Sequence, residues 1–181
     1  MNFTSEIEEL IYNEYLEIPV SDYHGKTHYF ERNIREINQL PFDLSIEIRC
    51  ACVIAYFELG LYYKYLNQVD DLIHLVITEN IYELNGKNIF EELLFRKGAS
   101  AYNVVDYYKA KYIFSELIKI DSSNALYQTA FTRCNVDKLR YEGQNFRGIT
   151  ICLLILAAAV IAFELFSYPT LKITQAPLLK L

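Results

Sequence analysis

The chain has 181 residues, of which 52% are hydrophobic and 22% are charged, and its formal net charge is −6. This composition excludes a disordered or low-complexity chain, and the acidic charge argues against a nucleic-acid-binding protein, which normally presents a basic face. No segment shows the alternating pattern of a strand, so we predict an all-α protein.

Residues 1–42 are predicted to form an N-terminal helical pair that caps the rest of the fold. Ser5 and Glu8 have the spacing of a capping box at the start of the first helix, which must end before Pro19. The second helix stops before Pro41, because the residue that precedes a proline disfavours the helical conformation.

Residues 43–147 are predicted to form antiparallel helix pairs followed by a closing helix. Apolar residues recur in this region at helical spacing. The predicted helices cover 43–65 and 67–84, then 88–104 and 106–120, and finally 124–142. The closing helix would present a polar face to solvent, as a stack of repeats requires at its end.

The second of these pairs resembles the tetratricopeptide repeat. The positions at which that motif carries small or large apolar residues hold Leu94, Gly98, Ala101, Tyr107, Ala110, Phe114 and Leu117. The first pair resembles the repeat more loosely, and its Gly60 precedes Gly98 by 38 residues, against a family period of about 34. The resemblance implies a right-handed stack of helix pairs. The residues that it assigns to the close contacts between helices are Gly60, Gly98, Ala110 and Phe114.

An uninterrupted apolar run predicts a single transmembrane helix over 148–168, followed by a short tail over 169–181. Ile149 to Tyr168 spans 20 residues, or about 30 Å as a helix, which matches the hydrocarbon core of a bilayer. The alternative is a buried core helix, which the charge of Glu164 favours. Glu164 lies near the Tyr168 end, however, where its carboxylate can reach the membrane interface.

Basic residues flank the predicted span unequally. Those before it are Arg133, Lys138, Arg140 and Arg147, and those after it are Lys172 and Lys180. Because positive flanks stay on the cytoplasmic side, we predict a single-pass, tail-anchored protein with its N-terminal domain in the cytoplasm.

We predict no catalytic, cofactor-binding or metal site. The four cysteines have neither metal-ligand nor disulfide spacing, and His24 and His28 are separated by Gly25 in a segment typical of a turn. The sequence contains no phosphate-binding glycine loop, nucleophile elbow or HExxH motif. The chain is therefore predicted not to be an enzyme.

Tyrosines are concentrated in the predicted repeats, where their rings either fill the seams between helices or line a binding groove. The positions on the first helix of each predicted pair that miss the seam are Tyr62, Tyr65, Tyr102 and Asn103. We predict that these residues contact a protein or peptide partner. The resemblance supports this face, since tetratricopeptide proteins typically bind peptide segments or partner helices there.

Two functions remain open at this point. The first is a non-catalytic, membrane-anchored adaptor, whose layout resembles that of the mitochondrial fission adaptor family. The second is an effector whose spans associate into a homo-oligomer and perturb or perforate the bilayer, with Glu164 lining a polar path. The small residues available for helix packing in that second case are Ala157, Ala158, Ala159 and Ala162.

Overall fold

A computed structural model describes residues 3–84 and 86–173 of the chain. These residues form eight α-helices and one antiparallel hairpin of two-residue strands. In chain order they are α1 (Phe3–Leu16), α2 (Tyr23–Arg32), α3 (Ile34–Ile37), α4 (Phe42–Glu58), α5 (Tyr62–Thr78), β1 (Glu83–Leu84), β2 (Lys87–Asn88), α6 (Ile89–Asn103), α7 (Tyr107–Ile120) and α8 (Ala125–Ile173). The predicted all-α class is confirmed, with the hairpin as an addition.

The chain divides into two compact units, residues 1–135 and 136–181. In the first unit, α2 packs on α4, α4 packs on α5, α5 packs on α6, and α6 packs on α7. One hydrophobic cluster fills the space among α1, α2, α4 and α5, and includes the buried rings of Tyr15, Phe30, Tyr56 and Tyr65. A second cluster joins α6, α7 and the start of α8.

In the first helix pair, the first helix ends earlier and the second helix begins earlier than the sequence indicated. α4 stops at Glu58 and α5 starts at Tyr62, whereas the predicted helices met near residue 66. Gly60 has φ +71°, and the Leu61 N–H donates to the carbonyl oxygen of Tyr56 at 2.8 Å, which closes α4 with a left-handed turn. The assignment of Gly60 to a close contact between helices was wrong, because a Cβ at this position would meet nothing within 4 Å.

The second pair repeats this turn with different residues. Val105 has φ +67°, its N–H donates to the Tyr102 carbonyl oxygen at 3.0 Å, and the Asp106 N–H donates to the Ala101 carbonyl oxygen at 2.9 Å. Val105 is therefore the structural equivalent of Gly60. The two turns lie 45 residues apart, at positions 60 and 105, whereas Gly60 and Gly98 are separated by 38 residues.

Burial follows the same spacing of 45 residues. Equivalent buried positions in the two pairs are Ile48 and Leu93, Val53 and Gly98, Ala55 and Ser100, Tyr56 and Ala101, Tyr65 and Ala110, Val69 and Phe114, and Leu72 and Leu117. Three of the four predicted packing residues, Gly98, Ala110 and Phe114, lie at buried contacts of the second pair. A Cβ on Gly98 would approach the Phe114 ring to 2.8 Å, so glycine is needed for these helices to meet.

The last helix contains both the predicted closing helix and the predicted span. α8 runs without a break from Ala125 to Ile173, five residues beyond the predicted end of the span at Tyr168. It is the one helix among residues 3–84 and 86–173 that is long and apolar enough to cross a membrane, and its most apolar window is not buried. Residues 174–181 of the predicted tail lie outside the described residues.

Candidate functional site

An apolar groove lies where α6, α7 and the first turns of α8 meet, and we call it the α6–α8 groove. Its volume is about 320 Å³, and its walls include Phe95, Tyr102, Phe114, Leu126, Ala130 and Arg133. Local capping places these walls. The carboxylate of Asp106 accepts the Lys109 N–H and starts α7, while the side-chain oxygen of Asn124 accepts the Leu126 N–H and starts α8.

The aromatic wall of the α6–α8 groove is held by ring contacts. Tyr102 packs edge-on against Tyr107 with ring centroids 5.5 Å apart, and the guanidinium of Arg133 lies 5.6 Å from the centre of the Tyr102 ring. The Asn103 side-chain amide donates to the carbonyl oxygen of Ala99 at 2.9 Å. The groove thus combines an apolar surface with the guanidinium of Arg133 and the exposed amide group of Asn103.

Two of the four predicted partner-binding residues meet in this groove. Tyr102 and Asn103 both line it. Tyr62 does not; it lies on the first turn of α5, half-buried, with its ring 5.8 Å from that of Phe57. Because α4 ends before Gly60, Tyr62 belongs to the second helix of its pair and not to the first.

Tyr65 lies in the core, so its assignment to a partner surface was wrong. Its side chain is fully buried between α5 and α6, and its hydroxyl donates to the carbonyl oxygen of Leu93 at 2.8 Å. Burial raises the pKa of the Tyr65 hydroxyl well above its ordinary value. The residue therefore joins the two helix pairs and offers no surface to a partner.

The contribution of α8 to the groove was missed in the sequence. Leu126, Ala130 and Arg133 follow one another at steps of four and three residues, which places them on one face of a helix. The sequence predicted this helix only as the solvated end of the stack. The signal that could have found the site is the combination of this face with a cation at its end.

A charged cluster connects the two helix pairs. Arg96 on α6 lies 3.1 Å from the carboxylates of both Glu58 and Glu92, and its guanidinium lies 5.1 Å from the centre of the Phe57 ring. Lys97 on α6 pairs with Asp70 on α5 at 2.5 Å. These contacts explain why charged residues occupy half-buried positions at this seam, and they hold α6 against α4 and α5.

The cysteines in the first unit are packing residues. Cys50 and Cys52 are buried, and burial raises the pKa of each thiol to about 12, which keeps the thiol protonated and unreactive at neutral pH. The buried Cys134 thiol donates to the Tyr107 carbonyl oxygen at 3.3 Å. Within the part of the chain that the structure describes, no group of three or more His, Cys, Asp or Glu residues is arranged to hold a metal ion.

The apolar part of α8 carries Glu164 on a different face from most of its alanines. At about 100° per residue, Ala157 lies on the same face as Glu164, seven positions away. Ala159 and Ala162 lie roughly 140° and 160° around the helix from Glu164. The small residues and the carboxylate therefore do not form one continuous packing face.

Comparisons of the chain with protein-family models, with curated proteins and with solved structures each gave no match. The class that the described residues define is an all-α protein, with one helix among them that is long and apolar enough to cross a membrane. The resemblances to the tetratricopeptide repeat and to the fission adaptor layout stay predictions from the sequence.

Proposed function

We propose that the chain is a non-catalytic, membrane-anchored adaptor whose helical unit binds a protein or peptide partner. The observation that carries the proposal is the α6–α8 groove, an apolar recess at the junction of three helices with a cation at its edge. Its volume lies within the usual range of binding pockets, and its aromatic walls are held in place by ring contacts.

The groove favours a particular kind of partner segment. The half-buried Phe95, whose ring lies 5.8 Å from that of the buried Phe114, and the exposed Leu126 offer a surface for one or two apolar side chains. Arg133 lies over the Tyr102 ring at the edge of this surface. We therefore expect a short segment with one or two apolar side chains to bind best.

The anchor in this proposal is the apolar part of α8. Its length and composition suit a bilayer crossing, and the basic residues that precede it favour a cytoplasmic position for the helical unit. A tethered binding unit raises the local concentration of its partner at the membrane without any chemical step.

Site-specific photo-crosslinking of the full-length protein in its membrane tests the adaptor proposal. A photoreactive amino acid replaces Leu126, which is 56% exposed in the groove, or Ile77, which is 57% exposed on α5 and outside the groove. We expect a discrete protein adduct from position 126 that is absent from position 77. Ala130→Trp, which fills the groove, should abolish the adduct, whereas equal adducts from both positions would exclude the groove as the binding site.

A carboxylate inside the apolar window of α8 favours a second candidate, the oligomerising membrane-active effector. Glu164 would then line a path between associated spans. Expression of the full-length protein would depolarise cells under this candidate, and Glu164→Leu would abolish the effect. Because Ala159 and Ala162 lie away from the Glu164 face, we place this candidate second.

A further inference from the structure

The first unit contains another recess, which we call the α1–α6 cleft. It shares no lining residue with the α6–α8 groove. It encloses about 360 Å³ where α1, α2, α4, the hairpin and α6 meet. Walls from five elements make it a three-dimensional recess and not a seam between two helices. Its volume is in the range of small-molecule sites.

The floor of the α1–α6 cleft is apolar. Ile18 lines it from the connection between α1 and α2, Ile54 from α4 and Ile89 from α6, and Leu16 and Ala51 extend the same surface. An apolar body placed there would gain the free energy of removing its surface from water.

One cation in the cleft lacks an anionic partner. The Lys26 side chain is half-buried, and its ammonium donates to the Val20 carbonyl oxygen at 2.9 Å. Among the described residues, Lys26 forms no ion pair; the nearby Asp22 carboxylate accepts the Gly25 N–H at the start of α2. Burial lowers the pKa of the Lys26 ammonium, and the charge of Asp22 partly offsets that effect.

The other charges that line the cleft already have partners. Arg96 is shared by Glu58 and Glu92, and Lys87 lies 3.7 Å from Glu92. Glu47 accepts a hydrogen bond of 2.7 Å from the neutral Tyr12 hydroxyl and keeps its negative charge. Lys26 is therefore the cation among the described lining residues that has no ion pair to lose when an anion binds, and it lies beside the apolar floor.

We propose that the α1–α6 cleft binds a small amphiphilic anion, with a carboxylate or phosphate head on Lys26 and an apolar chain along Ile18, Ile54 and Ile89. A free acyl carboxylate and a lipid-derived phosphate share this chemistry. The site uses none of the residues of the α6–α8 groove, so the ligand and the protein partner would bind independently. The adaptor proposal can fail while this one stands, and the reverse also holds.

Equilibrium dialysis of the full-length protein in zwitterionic-lipid nanodiscs tests the proposal. The probes are octanoate, octyl phosphate and the uncharged octanol, and empty nanodiscs supply the background partitioning into lipid. We expect saturable binding of one anion per chain, with octanol binding at least tenfold more weakly. Octanoate alone binding would assign a carboxylate ligand, and octyl phosphate alone would assign a phosphate.

Variants locate the binding. Lys26→Met should weaken binding of the anions at least tenfold, while Lys26→Arg keeps it and shows that the charge is what matters. Ile54→Trp should block the cleft, and Lys119→Met, which removes an exposed lysine on α7, is the matched control. Far-UV circular dichroism confirms that each variant is folded. Absence of saturable binding, equal binding of octanol, or unchanged binding by Lys26→Met would each overturn the proposal.

Discussion

The two helix pairs of the first unit share a backbone turn but fill their seams with different side chains. The first pair closes its leading helix at Gly60 and buries large rings at Tyr56 and Tyr65. At the equivalent positions the second pair has Val105 at the turn and buries two alanines, Ala101 and Ala110. The two pairs thus have the same turn geometry but bury side chains of different size between their helices.

Part of the side-chain volume that the second pair lacks is supplied by Phe114 on α7. Gly98 replaces the side chain that Val53 supplies in the first pair, and the larger ring of Phe114 stands where the first pair has Val69. Interiors are packed densely enough that a large residue on one helix requires a small one on its neighbour. Substitutions that place the residue of one pair at the equivalent position of the other test how similarly the two pairs pack.

The largest effect is expected from Tyr65→Ala, which gives the first pair the residue that the second pair has. Tyr65 is fully buried, lies 5.8 Å from the Phe57 ring and bonds to the Leu93 carbonyl oxygen. We expect the free energy of unfolding to fall by about 3–5 kcal/mol, because the substitution leaves a cavity and removes the hydroxyl that bonds to α6. Urea unfolding of the full-length protein in nanodiscs, followed by circular dichroism, measures it.

The matched control for that substitution is Tyr63→Ala, two positions earlier on the same helix. Tyr63 is 71% exposed, so its removal should change the free energy of unfolding by about 0.5 kcal/mol or less. Similar losses for both variants would mean that the seam between α5 and α6 does not depend on the Tyr65 ring.

Gly98→Val gives the second pair the residue that the first pair has at Val53, and should have the next largest effect. The new side chain would begin 2.8 Å from the Phe114 ring and 3.1 Å from Ile113, so atoms must move. We expect a loss of about 1–3 kcal/mol from overpacking. Adding Phe114→Leu to Gly98→Val should recover part of the loss, and strictly additive effects in this double-mutant cycle would contradict the close contact.

These comparisons also show what could be predicted from the sequence. The bounds of α6 and α7 were predicted to within a residue. In the structure Asn88 and Asp106, which are residue types common at N-caps, cap these helices. The end of α4 was missed because Gly60 was assigned to helix packing, although a glycine near a helix end more often closes it. No sequence rule places Val105 in a left-handed turn, so the spacing of 45 residues could not be found from residue types.

The candidate groove was half predictable for a similar reason. Tyr102 and Asn103 lie on a helix whose ends were predicted well, and both line the groove. Tyr65 was misassigned because the shifted end of α4 moved it to another helix and another face. The position of Arg133 over the Tyr102 ring depends on how α8 packs against α6, which is a tertiary contact without a local signal.

A smaller effect is expected at alkaline pH, where buried tyrosines in the two hydrophobic clusters make the free energy of unfolding depend on pH. Burial and a hydrogen bond to Glu91 raise the pKa of Tyr127 to about 12, from an ordinary value of 10.0. The folded state therefore keeps a proton that the unfolded state loses, so this contribution to stability is full below pH 10 and is lost as the pH rises towards 12. Tyr127→Phe should flatten the fall in unfolding free energy between pH 10 and pH 12.

In the first hydrophobic cluster the corresponding variant is Tyr65→Phe. Deep burial raises the pKa of the Tyr65 hydroxyl well above its ordinary value, and this variant removes that hydroxyl. It should flatten the same slope. Tyr63→Phe, at an exposed ring, serves as the control for both. Unfolding curves at pH 8, 10, 11 and 12 measure the slopes, and slopes equal to that of the unsubstituted protein would exclude these tyrosines as the cause.

The smallest expected effect, and the one of opposite sign, is at the turn that the two pairs share. Val105 holds φ +67°, where a β-branched residue is strained, whereas Gly60 holds φ +71° without a Cβ. Val105→Gly should therefore raise the free energy of unfolding by about 0.5–1 kcal/mol, since relief of strain exceeds the entropy that glycine adds to the unfolded chain. Gly60→Val should lower it by about 1–2 kcal/mol. If both substitutions destabilise the protein, the Val105 side chain, although 47% exposed, makes contacts that outweigh its strain, and the two turns are not equivalent.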